Sequence, residues 1–90
     1  MEMNILLKYK IKNMEQYIRE NFDLDFFQNL NADGFSIKSK TYLGQIEGKE
    51  HEVIFLYVDG QLNLVKLNGE KMNVKKFEKK MAKILKNNYI

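Results

Sequence analysis

The stretch Val53–Gly69, VIFLYVDGQLNLVKLNG, decides the fold. Val53 to Val58 is a compact β-branched and aromatic run, the composition that suits a pleated, half-buried surface. Asp59-Gly60 follows at once. Asp-Gly between apolar runs is a strong short-range hairpin signal, because both residues tolerate the positive φ angles of a tight β-turn. Leu62, Leu64 and Leu67 carry the return strand, and Asn68-Gly69 turns the chain again.

Upstream, the period from Phe35 is two. Phe35, Ile37, Ser39, Thr41 and Leu43 fall on one face, with Ser36, Lys38, Lys40 and Tyr42 on the other, as in a strand. Gly44 to His51 is polar with two glycines and reads as a connection. The three strands most simply form an antiparallel meander.

Downstream the period changes to that of a helix. In NVKKFEKKMAKILKNN, Asn73–Asn88, an Asn73 cap places Val74, Phe77, Met81, Ile84 and Leu85 on one side. Lys75, Lys76, Lys79, Lys80, Lys83 and Lys86 occupy the other.

Toward the N-terminus, Ile5, Leu7, Tyr9 and Ile11 alternate with Asn4, Leu6, Lys8 and Lys10, which predicts a strand over Met3–Lys12. Asn13 is placed to cap a helix, with Gln16 three residues on and Met14, Tyr17 and Ile18 on one side, running to Asn21. Phe26, Phe27 and Leu30 suit a further helical stretch beginning at Asp23 or Asp25 and closed by Asp33-Gly34. The expected domain is a single α+β unit over residues 1–90. Its antiparallel sheet has three or four strands, with helices on one face in β-α-β-β-β-α order.

Composition narrows the function classes. At 90 residues, 44% hydrophobic and 12% aromatic, the chain has enough apolar material for one core. It has no Cys, so no disulfide and no thiolate metal cage supports that core, and a reducing, cytoplasmic setting is expected. No apolar run approaches the ~20 residues of a membrane span, and the N-terminal apolar run is too short for a secretory signal. The expectation is a soluble chain that is mature from Met1.

Catalytic raw material is thin. His51 is the only histidine, flanked by Glu50 and Glu52, and it cannot build a multi-histidine metal site. Ser36 and Ser39 lack a glycine elbow. Asp33 with Glu47-Gly48-Lys49 loosely resembles the Asp and Glu-x-Lys arrangement of restriction-endonuclease-like nucleases, but here it reads as solvated turns. No enzyme activity, cofactor or metal is expected.

Charge is unevenly distributed. Residues 71–90 hold seven Lys against one Glu (+6), leaving eight basic and eleven acidic residues (−3) for residues 1–70. Such asymmetry points to an anionic partner. Lys75 and Lys76 stand in the first helical turn, where the positive end of the macrodipole disfavours a cation unless an anion lies across it.

Two strings resemble the double-stranded RNA-binding domain. Gly48, His51 and Phe55 reproduce its G-x-x-H-x-x-x-F spacing, and Lys75, Lys76, Lys79 and Ala82 its K-K-x-x-K-x-x-A run. Phe26, Phe27 and Leu30 fit the apolar face of that family's first helix, so the resemblance runs from about Leu24 to Leu85. It implies that Lys75, Lys76 and Lys79 contact phosphates across a major groove; Lys80 and Lys83, on the same basic side of the helix, are expected as secondary contacts. It also implies that His51 sits at a minor-groove loop, and that duplex RNA is recognised by shape.

The rival expectation is a protein-interaction module. It would dock on an acidic protein surface, or add a strand through an exposed sheet edge, including an edge-strand dimer. A composition rich in Lys, Asn and Ile with a single Arg suits an AT-rich genome, as for a phage or mobile-element inhibitor or adaptor. A membrane-surface role is disfavoured by the absence of Trp and by the need for the last helix's apolar face in the core.

Overall fold

A computed structural model describes residues 14–89. The elements are helix α1 (Met14–Asn21), strands β1 (Asp23–Ala32), β2 (Phe35–Ile46), β3 (Lys49–Val58), β4 (Gln61–Leu67) and β5 (Glu70–Met72), and helix α2 (Val74–Tyr89). The strands form one antiparallel sheet in sequence order, and both helices pack on one of its faces. The α+β class is as expected, with a five-stranded sheet in place of three or four strands. The strand expected over Met3–Lys12 and the Asn13 cap lie outside the described residues.

The meander follows from four two-residue turns. In each, a non-glycine residue at φ 50 to 52° precedes a glycine at φ 77 to 88°: Asp33-Gly34, Glu47-Gly48, Asp59-Gly60 and Asn68-Gly69. Positive φ at both central positions belongs to the turn whose twist matches the right-handed twist of the flanking strands. Glu47 is the unusual member, because glutamate tolerates this region less well than Asp or Asn.

Two expectations are corrected here. Residues 23–32 form β1 and not a helix, paired with β2 from Asp23↔Leu43 to Ala32↔Phe35. The i, i+1, i+4 spacing of Phe26, Phe27 and Leu30 fits a helix. Asp23, Asp25, Asn29 and Asn31 are weak helix formers, however, and a 12-residue partner strand starts directly after the Asp33-Gly34 turn. The first helix of the RNA-binding-domain resemblance is therefore absent from this segment. Nor is Gly44–His51 a connection: β2 continues to Ile46, whose side chain is buried, and only Glu47-Gly48 lies between the strands.

The core lies between the sheet and the helices. Met14, Ile18 and Phe22 from the first helical segment and Phe77, Met81 and Leu85 from α2 close over Tyr42, Ile46, Val53, Phe55, Val65, Leu67 and Met72. Phe55 is fully buried at its centre, with edge-to-face ring contacts to Tyr42 (5.8 Å), Phe77 (5.8 Å) and Tyr57 (6.3 Å). Such ring pairs stabilise by about 0.5–1.5 kcal/mol each beyond the area they bury.

The start of α2 is set locally. Asn73 Oδ1 accepts the Lys76 backbone N–H at 2.8 Å, as the cap assignment requires. Two turn residues also reach sideways to the next strand over. Asp59 accepts the Ser36 N–H (3.0 Å) and donates its own N–H to the Ser36 carbonyl (2.8 Å). Asn68 does the same with Glu52, accepting its N–H and donating to its carbonyl, both at 2.9 Å.

Candidate interaction surfaces

The sequence-predicted basic residues do not act as one group. Lys76 and Lys80 both reach Glu70, at 3.4 and 2.8 Å, and their hydrogen bonds, Lys80 foremost, hold the Glu70 carboxyl below the usual range. All three are solvated, so the pairs add little stability. Lys75, Lys79 and Lys83 form an exposed ridge one helical turn apart with no carboxylate partner among the described residues.

His51 stands in β3, opposite Gly44, and not in a loop. Its Nδ1 lies 3.2 Å from the Asn68 side-chain nitrogen, so the amide donates and the imidazole accepts. Partial burial, followed by the nearby Lys49 charge, lowers its pKa, which favours the neutral ring. The nuclease-like residues are separated. Asp33 and Glu47 lie in turns at opposite ends of β2, about 40 Å apart for 12 residues of strand. No cluster of three His, Asp or Glu able to hold a metal occurs among the described residues.

The most prominent surface feature is one that periodicity alone hid. Among the described residues, Leu24, Phe26, Phe27, Leu30 and Phe35 are the exposed large hydrophobics, with exposures from 48% at Phe27 to 55% at Phe26. All lie in β1 or at the residue opening β2. The register puts Leu24 and Phe27 on the helix-bearing face, and Phe26, Leu30 and Phe35 on the other, so β1 is apolar on both sides. That other face continues inward through half-buried Ile37, Ile54, Leu56, Val58 and Leu64, and no described helix covers it.

The two sheet edges differ sharply. β5 is three residues long and carries Glu70 and Lys71, the short, charged design that discourages further pairing. β1 is ten residues long with no Lys, Arg or Pro. Its one irregularity, a bulge at Asp25, leaves Phe26–Ala32 in unbroken register. The sequence signal for this edge is Asp33-Gly34, a hairpin dipeptide directly before the period-two run that begins at Phe35.

A polar cleft of about 280 Å³ opens on the helix-bearing face, lined by Glu15, Arg19, Lys38, Lys40, Tyr57 and Gly60. The Tyr57 hydroxyl donates a short hydrogen bond to Glu15, and Lys40 Nζ lies 5.5 Å from the Tyr57 ring centroid. Burial, then the bond to Glu15, pushes the phenol pKa up, so Tyr57 remains a neutral donor. No helix among the described residues is long and apolar enough to cross a membrane. Comparison with family models, with curated proteins and with solved structures finds no match.

Proposed function

We propose that this protein is a small non-enzymatic binding module that captures an extended segment of a partner protein along the outer edge of β1, which pairs with no other strand on that side among the described residues. The observation that carries this reading is the concentration of the exposed large hydrophobics on one long, lysine-free edge strand. Strand addition uses such an edge. Backbone hydrogen bonds supply affinity, and side chains alternating between the two faces supply selectivity. A strand apolar on both faces gains by burying both, which a partner lying across the edge and the open face accomplishes.

The test is retention of a partner from nuclease-treated extract by the wild type and by Phe26→Lys and Leu30→Lys variants, followed by reconstitution from purified components. A partner that binds the wild type and is lost from both variants supports the reading. Equal retention by all three overturns it.

A second reading rests on the ridge of Lys75, Lys79 and Lys83. It is spaced at about 6 Å per step and is suited to phosphates of duplex RNA, with Lys76, Lys80 and His51 as the further contacts of the expected scheme. A ~20 bp duplex RNA whose retention falls with salt and disappears on substitution of Lys75, Lys76 and Lys79 by Glu favours this reading over the first.

A further inference from the structure

We propose that the cleft between α1 and the β2–β3 pair binds a dianionic phosphate monoester, held by Arg19, Lys38 and Lys40. The proposal is independent of the β1 edge and of the α2 lysine ridge.

The argument begins with a pairing that the helix offers and the fold diverts. Glu15 and Arg19 are four residues apart on α1 with the carboxylate N-terminal, the favourable arrangement for a helical ion pair. No such pair forms; the Glu15 carboxylate instead accepts from the Tyr57 hydroxyl of β3. Arg19 is left beside the cleft without a carboxylate partner among the described residues, and so are Lys38 and Lys40. Lys76 and Lys80 are the cations paired with a carboxylate among the described residues, both with Glu70, so what sets the cleft apart is that three cations line one concavity.

The floor of the cleft repeats the pattern. Lys38 and Lys40 alternate on one strand and share the helix-bearing face, since Lys38 pairs with Tyr57 and Lys40 with Phe55. Neighbouring like charges on a sheet face repel, and an anion between them reverses the sign of that interaction. Lys40 is steadied over the Tyr57 ring, within the reach of a cation–π contact. Asp59 precedes Gly60 in the β3–β4 turn but does not line the cleft, and its Oδ1 accepts the Ser36 N–H.

Charge and shape then select the ligand. Arg19, Lys38 and Lys40 against Glu15 leave a formal +2, the complement of a phosphate monoester. An arginine fork beside two point-charge ammonium groups suits a tetrahedral oxyanion. A cleft of about 280 Å³ admits such a group together with part of what it is attached to.

The experiment is a titration of the isotopically labelled full chain with inorganic phosphate, adenosine monophosphate, and an unphosphorylated deoxythymidine hexamer that carries only diesters. At low ionic strength, phosphate and the monophosphate should shift the amides around Arg19, Lys38 and Lys40 at concentrations where the hexamer does not. Lys38→Gln with Lys40→Gln, and separately Arg19→Gln, should each weaken binding by about tenfold or more, while Lys66→Gln, on the opposite face of the sheet, leaves it unchanged. Tyr57→Phe removes no cation but frees Glu15 to pair with Arg19, and should weaken binding several-fold; general charge attraction would not respond to it. Each variant is checked for a native spectrum at the temperature used. Shifts confined to the α2 lysines, unchanged affinity in the cleft variants, or tighter binding of the hexamer than of the monophosphate overturns the proposal.

Discussion

Phe22 packs its ring directly over Gly44, so closely that a Cβ built on the glycine would overlap the ring. Phe22 lies between α1 and β1 in the chain, and Gly44 is near the end of β2. This contact fixes where the first helix ends and the edge strand begins. Gly44 has no positive φ to explain it; it is glycine because the phenyl ring occupies the space of a side chain. Gly44→Ala should lower stability by about 1–3 kcal/mol through overpacking, read as a reduced urea midpoint with an unchanged slope. An unchanged midpoint would show that the ring is not seated there.

The turn at Glu47-Gly48 holds the opposite opportunity. Glu47 adopts φ 52° in a tight turn that favours Asn or Asp at that position. Glu47→Asn should raise stability by about 0.5–1 kcal/mol, and Glu47→Val should lower it, both measured by denaturant unfolding.

Asn73 caps α2 through the Lys76 N–H, so Asn73→Ala should cost about 1 kcal/mol while Asn73→Asp retains most of the cap. Thermal melts of the three proteins rank them; equal melting temperatures would contradict the assignment.

His51 gives a pH dependence with a definite sign. Its pKa is lowered in the folded chain by burial and by Lys49, so the native state binds its proton less readily than the unfolded chain. The stability tied to the neutral ring is fully present above the ordinary value of about 6.5 and is lost as pH falls through the lower folded value. As this is the only histidine, its ring resonances report the titration directly. A midpoint at or above the ordinary value would contradict the acceptor role toward Asn68.

Much of the sheet was legible from local chemistry. Asp59-Gly60 and Asn68-Gly69 marked their hairpins, Asn73 marked the start of the last helix, and the apolar positions of that helix are the ones that meet the core. What the sequence hid was governed by tertiary pairing. Phe26, Phe27 and Leu30 fit a helical face as well as an edge strand, and only a partner strand after Asp33-Gly34 decides between them. Gly44 looked like a loop residue because a glycine that makes room for a distant ring is indistinguishable in sequence from one that turns the chain, and Glu47 is a residue type that does not advertise a tight turn. The cleft cations were invisible for a related reason: Arg19 has a good helical partner in Glu15 by spacing, whereas in the fold Glu15 accepts from Tyr57 of β3 and no Glu15–Arg19 pair forms.

The β1 edge should be separable from stability. Phe26→Lys and Leu30→Lys replace side chains already about half in water, and should change the unfolding free energy by no more than about 0.5 kcal/mol each while abolishing partner capture. Large destabilisation by both would mean that these side chains serve the fold.

Backbone amide hydrogen exchange, with and without the purified captured partner, tests the central claim most directly. The account predicts slowed exchange across Phe26–Ala32, matched by a protected extended segment in the partner. Protection confined to the Lys75–Lys83 ridge, or protection that vanishes when nucleic acid is digested, would contradict it.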